Sequence, residues 1–108
     1  MKTVITASGD AITNQFDKRF GRASWFCVFD DVLQSVDFVE NQHVTASNGA
    51  GTKAVEKMLE LGVKKIISGD FGPKGKELLD RFDVQMVIIE EEGLSVGDII
   101  DRLVVNKK

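Results

Sequence analysis

The residues best suited to chemistry in this chain are few: one cysteine, one histidine and a short basic segment that contains two arginines. Two soft ligands cannot complete the four-ligand site that structural zinc requires, and one cysteine cannot form an intramolecular disulfide. The spacing of Cys27 and His43 indicates no Cys/His dyad, and no Ser/His/Asp arrangement is evident either. The sequence therefore predicts a protein that binds a ligand rather than one that catalyses a reaction.

The two soft ligands differ in their surroundings. Cys27 stands between Phe26 and Val28 in an aromatic, β-branched run, where a free cysteine usually behaves as a small buried apolar residue. His43 lies in the polar stretch 41–48, beside a glycine-rich turn. Neutral imidazole is a common metal ligand, but a lone loop histidine is often only solvated, so both interpretations of His43 stay open.

Positive charge is concentrated in the segment 18–23, which contains Lys18, Arg19 and Arg22. A guanidinium can hold a phosphate, a carboxylate or a sulfur-rich anion through two N–H groups. The alternative is a solvated loop whose arginines pair with nearby aspartates such as Asp10 or Asp17. The residues alone do not decide between these two interpretations.

Glycines mark two further turns. Gly49, Ala50 and Gly51 open a predicted helix, where bare backbone N–H groups and the helix dipole favour an anion. The pattern also fits part of a dinucleotide fingerprint, but an eight-residue polar loop separates it from the preceding strand, which counts against that cofactor. Gly69 and Gly72 form a similar turn between a strand and a helix.

These residues must be positioned by regular elements, which periodicity and turn residues predict. Strands are predicted over 3–7, 24–30, 34–40, 63–68 and 84–89, and helices over 49–61, from Pro73 onward and over 95–105. The second and third predicted strands form a hairpin, whereas the later strands alternate with helices and must be parallel. We therefore expect an α/β fold with a mixed five-stranded sheet, one antiparallel strand and about three flanking helices.

Ligands of such sheets bind beyond the carboxyl ends of the parallel strands. We call this expected region the carboxyl edge. The segments predicted to meet there are 8–10, 18–23, 41–51, 69–73 and 90–93.

Composition sets further limits. The 108 residues are 43% hydrophobic and 29% charged, which suits one ordered domain over 1–108 and excludes a disordered chain. A net charge of −3 argues against a general nucleic-acid binder. No apolar run approaches a membrane span, and no signal-peptide core follows Met1, so we expect a cytoplasmic protein without a membrane partner. The first strand carries no carboxylate, which argues against a metal-dependent ribonuclease-H-type nuclease.

The order of these motifs resembles the dinitrogenase iron–molybdenum cofactor biosynthesis family. The resemblance covers residues 2–92 and rests on segment 19–23 before an aromatic strand, Glu40-Asn41 after the hairpin, the helix opening at 49–51, and Gly69 with Gly72-Pro73. It implies a ribonuclease-H-like fold without nuclease chemistry. It also implies a non-enzymatic role in binding or carrying the iron–molybdenum cofactor or an iron–sulfur precursor. Many small stand-alone members have an obscure role.

Motifs and resemblance together predict a cofactor-binding set and one metal ligand. The set is Arg19, Gly21, Arg22, Asn41, Gly49, Ala50, Gly51, Gly69 and Gly72, with His43 as the metal ligand. Its cargo is an anionic metal–sulfur cluster of iron–sulfur or iron–molybdenum type, and a donor or acceptor protein is the further partner. The alternative is a small-molecule or nucleotide-binding protein that uses the same edge. A third, weaker interpretation is an interaction protein whose edge strand 34–40 pairs with a partner.

Overall fold

The computed structural model of the chain describes residues 1–44 and 49–105. Five strands and three helices follow one another in the described part. They are β1 (Lys2–Ala7), β2 (Trp25–Asp30), β3 (Ser35–Glu40), α1 (Ala50–Leu61), β4 (Lys65–Ser68), α2 (Pro73–Arg81), β5 (Gln85–Ile88) and α3 (Val96–Val105).

The five strands form one mixed sheet in the order β3-β2-β1-β4-β5. β2 is antiparallel to both of its neighbours, β1 and β3. β4 is parallel to β1 and to β5. Among the strands of the described residues, β2 alone runs against the others, which confirms the predicted α/β fold with a single antiparallel strand.

The strands are apolar on both faces, and each face carries its own core. Val4, Phe26 and Ile66 pack beneath α1 and α2, whereas their immediate neighbours Ile5, Cys27 and Ile67 pack beneath α3. Successive side chains of a strand point to opposite faces, so one uninterrupted apolar run supplies both cores. Burial of each large apolar side chain contributes about 1.5–3 kcal/mol.

The predicted helix ends are confirmed by their backbone geometry. Gly62 ends α1 with φ 74°, a left-handed conformation that glycine adopts without a Cβ penalty. Pro73 occupies the first turn of α2. At α3, the Ser95 amide donates to Asp98 Oδ2 at 2.9 Å and the Asp98 amide to Ser95 Oγ at 3.1 Å, which is a complete capping box.

Three apolar residues at the helix C-terminal ends are substantially exposed: Leu59 at 38%, Phe82 at 50% and Val104 at 46%. Each lies in the last turn of its helix or just beyond it. Residues 45–48, predicted as part of a polar loop, and the tail 106–108 lie outside the described residues.

The long segment between β1 and β2 contains no helix or named strand. It crosses the carboxyl edge through single bridges, Ala7 with Phe16 and Arg19 with Asp70. The Phe20 amide donates to the Asp70 carbonyl at 3.0 Å. Within residues 1–44 and 49–105, no helix is long and apolar enough to cross a bilayer.

Candidate functional site

The N-termini of α1 and α2 lie at the carboxyl edge with their first N–H groups uncapped by side chains in the part of the chain described. Gly49 precedes α1 with φ 74°, and Gly72 precedes α2 with φ 70°. Neither helix has an acidic residue in its first turn. No carboxylate within either helix offsets the partial positive charge of its N-terminus. At α2, however, the Asp70 carboxylate accepts the Gly72 amide, and Pro73 has no N–H group to offer.

The two N-termini lie side by side. A Cβ placed on Gly51 of α1 would lie 3.9 Å from the backbone nitrogen of Gly75 in α2. A Cβ on Gly75 would lie 3.6 Å from the ring of Phe20. Phe20 is fully buried, and its ring centroid lies 5.4 Å from that of Phe71. Phe20 therefore fixes segment 18–23 against the first turn of α2.

Gly21 brings the same segment into contact with α1. A Cβ on Gly21 would lie 3.0 Å from the Gly51 nitrogen and 3.1 Å from its Cα, tighter than most Cβ contacts in proteins. The absence of a side chain at residue 21 is thus what permits this approach. The loop backbone and the α1 N-terminus form one continuous surface as a result.

Asn41 supports this surface from beneath. Its side chain is almost fully buried, and its Nδ2 donates to the carbonyls of Gly21 at 3.1 Å and Ala23 at 2.8 Å. Its Oδ1 accepts the His43 amide at 3.0 Å. The amide of Asn41 thus joins two loops, and this arrangement suits a positioning role better than direct contact with a ligand.

Gly69 and Gly72 also have structural reasons to be glycine. A Cβ on Gly69 would overlap the side chain of Lys18, whose carbonyl accepts the Gly69 amide at 3.1 Å. The Gly72 amide donates to Asp70 Oδ1 at 3.0 Å. Both N–H groups are therefore already used within the protein.

The cations of the segment are partly compensated. Arg19 donates to Asp17 through Nε at 3.2 Å and Nη2 at 3.1 Å, and the hydrogen bond to Asp17 raises the pKa of Arg19. Lys18 pairs with Glu92. For Arg19, the structure shows the aspartate pairing that the sequence left as an alternative. Any bound anion must compete with these carboxylates.

Arg22 and His43 meet at the turn that follows β3. Arg22 Nη1 donates to the Val44 carbonyl at 3.0 Å. His43 is exposed and lines a cavity of about 340 Å³ between the end of β3 and α1. Among the described residues, no group of three or more His, Cys, Asp and Glu side chains could hold a metal ion.

Cys27 is buried, as predicted, and lies in the core on the α3 face of the sheet. Burial, and then the nearby charge of Asp37, raises the pKa of its thiol to about 12. The thiol is therefore protonated and shielded at neutral pH, whereas metal binding requires the thiolate. Cys27 is not suited to hold a cluster.

Sequence reasoning missed Phe20 and the cavity. An apolar residue inside a charged run, such as Phe20 between two cations, is a usable signal for an anchored loop. The cavity walls include Lys53, Glu56, Lys57 and Glu60 on the polar face of α1. In the sequence, this polar face of α1 cannot be distinguished from ordinary solvated surface, so the cavity could not be predicted.

Comparisons with known proteins agree on one relationship. The family described as dinitrogenase iron–molybdenum cofactor matches residues 1–106. The apo form of the orange protein from Desulfovibrio gigas is 29% identical, with a TM-score of 0.88 over 98% of this chain and 88% of that chain. A DUF35-family protein from Thermotoga, described as a putative NifB protein, is 26% identical, with a TM-score of 0.83 over 98% of this chain and 89% of that chain. Curated protein sequences give no significant match.

Proposed function

This chain belongs to the dinitrogenase iron–molybdenum cofactor family, and from that premise we propose that it is a non-enzymatic carrier of an anionic metal–sulfur cofactor. The cargo is of iron–sulfur or iron–molybdenum type. The protein receives it from a donor protein and releases it to an acceptor. We place this exchange in the cytoplasm, because a reducing compartment preserves such clusters.

The observation that carries the proposal is the pair of uncapped helix N-termini at the carboxyl edge. A preassembled cluster brings its own sulfides, so a carrier need supply only hydrogen bonds, positive charge and one or two ligands. The N-terminus of α1 supplies the hydrogen bonds, and the adjacent N-terminus of α2 adds partial positive charge, without any thiolate. This donor set suits reversible holding of a finished cluster and does not suit its assembly.

In this proposal each predicted site residue has a distinct role. The backbone of Gly49, Ala50 and Gly51 donates N–H groups to the cluster. Arg19 and Arg22 supply positive charge, Arg19 by exchanging its bonds to Asp17 for bonds to the cargo. His43 provides a metal ligand from the cavity side. Gly21, Asn41, Gly69 and Gly72 act by holding the backbone in place.

A second candidate function is the binding of a small molecule or nucleotide at the same edge. The uncapped helix N-termini favour a phosphate group for the same electrostatic reason that they favour a cluster. The two candidates therefore differ in the cargo and not in the location of the site. Cluster binding requires metal and sulfide, whereas binding of a phosphate-containing molecule does not, and this difference distinguishes the two candidate functions.

The decisive experiment is anaerobic incubation of the metal-free protein with iron–molybdenum cofactor, and separately with an iron–sulfur cluster donor protein. We expect visible absorbance to co-elute with the protein in gel filtration, and amide shifts centred on Gly49–Gly51. Inorganic phosphate and ATP serve as matched anions. Failure of both clusters to bind, together with tight ATP binding, would replace the carrier role by nucleotide binding.

A further inference from the structure

The outer edge of β3 presents backbone groups that β2 does not use. The Asn41 amide donates to the Ser24 carbonyl at 2.9 Å, so residues 24 and 41 form a hydrogen-bonded pair in the β2–β3 register. Such pairs alternate along an antiparallel ladder. The N–H and C=O groups of Val36, Phe38 and Glu40 therefore point away from β2.

The opposite side of β2 gives the same alternation independently. The Asp31 amide donates to the Met1 carbonyl at 3.2 Å, which makes residues 1 and 31 a hydrogen-bonded pair in the β1–β2 register. Residues Trp25, Cys27 and Phe29 consequently bond to β1 and have no groups left for β3. Within the described residues, no further strand pairs with β3.

A groove runs beside this open edge. The cavity of about 340 Å³ lies between β3 and α1, with Phe26 and Val39 as its apolar lining. A strand added to β3 would direct alternate side chains to the face that carries α1, and hence into the groove. Strand addition beside a helix is a recurrent mode of peptide recognition, in which pockets for alternate side chains provide specificity.

The charges of the groove indicate which side chains would fit. The α1 side chains that line it are Glu56 and Glu60 together with Lys53 and Lys57. Lys57 is already paired with Glu60 at 3.4 Å. β3 adds the exposed Asp37 and contains no cation of its own. A lysine or arginine side chain could place its aliphatic stem on the apolar lining and its charged end among these carboxylates.

We propose that β3 and α1 form a docking groove for an extended, basic segment of a partner protein, which adds to the sheet as a sixth strand. A second copy of this chain is a poor occupant, because pairing β3 with β3 brings two copies of Asp37 and Glu40 together with no cation between them. The proposal does not depend on cluster binding, since its contacts are backbone groups of β3 and carboxylates of α1.

The test uses a synthetic heptapeptide of alternating lysine and valine, titrated into the whole protein and followed by amide chemical shifts. We expect shifts at residues 36, 38 and 40 and along 53–60. Two N-methylated forms of the peptide, one for each edge of a strand, remove its backbone donors in turn. At least one of the two N-methylated peptides should no longer bind to the protein. A glutamate–valine peptide controls for sequence-independent strand addition.

Two charge reversals provide a matched pair. Glu56→Lys lies in the groove, whereas Asp80→Lys makes the same change of net charge on the exposed surface of α2. We expect Glu56→Lys to weaken binding of the lysine peptide at least about threefold, and Asp80→Lys to change it less than twofold, because exposed pairs act over short distances.

The proposal is overturned if the lysine peptide leaves residues 36, 38 and 40 unshifted, or if both N-methylated forms bind as well as the parent. Equal binding of the glutamate peptide overturns the basic specificity. Concentration-dependent shifts at the same amides without peptide, together with a dimer in sedimentation, would show that a second copy occupies the edge instead.

Discussion

At the scale of single residues, the two soft ligands of the chain are separated by the sheet. His43 is exposed at the end of β3, whereas Cys27 is fully buried beneath α3. A ligand at the carboxyl edge can reach an exposed imidazole by a small loop movement. The thiol would have to leave the core first.

We therefore expect His43→Ala to reduce cluster binding sharply while the thermal midpoint stays nearly unchanged. Cys27→Ala should keep the cluster and lose roughly 1 kcal/mol of stability, as small core truncations do. Anaerobic reconstitution of both variants beside the wild type measures cluster occupancy directly. Equal occupancy in His43→Ala and the wild type would remove histidine ligation.

Cys27 also predicts a pH dependence of stability. Burial raises its folded pKa to about 12 from an ordinary value of 9.0. The unfolded thiol ionises first, so the stabilisation is complete below pH 9.0 and is lost as pH rises towards 12. The wild type should lose about 1.4 kcal/mol per pH unit above pH 9 relative to Cys27→Ala.

Urea unfolding of both proteins between pH 8 and pH 11 tests this difference. Lysine titration affects both chains equally and cancels in the comparison. Parallel pH profiles for the two proteins would mean that the Cys27 thiol has the same pKa in the folded and unfolded states, which would contradict the prediction.

At the scale of elements, the site depends on how closely segment 18–23 approaches α1 and α2. Gly21 and Gly75 both lie in this contact, but they differ in the space beside them. A Cβ at residue 21 would lie 3.0 Å from a backbone nitrogen of α1, whereas at residue 75 it would lie 3.6 Å from a ring atom of Phe20. Only the distance at residue 21 is shorter than an ordinary van der Waals contact.

Gly21→Ala should accordingly cost about 1–3 kcal/mol and displace the segment from α1, with weaker phosphate-induced shifts at Ala50 and Gly51. Gly75→Ala, the matched control inside a helix, should be neutral or stabilising by up to about 1 kcal/mol. Thermal unfolding and phosphate titration measure both effects. Equal stability of the two variants would mean that the loop yields freely.

At the scale of the whole molecule, both cores share one sheet. β1 is central and contributes Val4 to one core and Ile5 to the other. Segment 11–23 adds contacts at both faces, since Phe20 belongs to one core and Phe16 to the other. Neither core can be lost without disturbing the strands of the other.

We therefore propose that 1–108 is a single domain and expect one cooperative unfolding transition. The calorimetric and van't Hoff enthalpies should agree, and fluorescence of Trp25 should follow the same curve as far-UV circular dichroism. A truncation that removes α3 should abolish the transition rather than leave a smaller one. Two resolved transitions would show separate folding units.

Sequence alone determined the regular elements and the turns that begin and end the helices. Uninterrupted apolar runs with turn residues between them specify strands, and Gly62, Pro73 and the Ser95–Asp98 box specify helix ends, because these signals act over a few neighbouring residues. The same locality located the glycine-rich helix starts and the buried Cys27. The resemblance in motif order then supplied the family.

Only the tertiary structure decided which groups are used internally. The Asn41 side chain bonds to Gly21 and the Gly69 amide to Lys18, both far away in the sequence. The Gly72 amide bonds to Asp70 within a tight turn, and Arg19 pairs with Asp17. The adjacency of the two helix N-termini and the groove beside β3 likewise depend on packing. Local patterns cannot specify these features, because each is a contact between elements whose separation is set by the side chains packed between them.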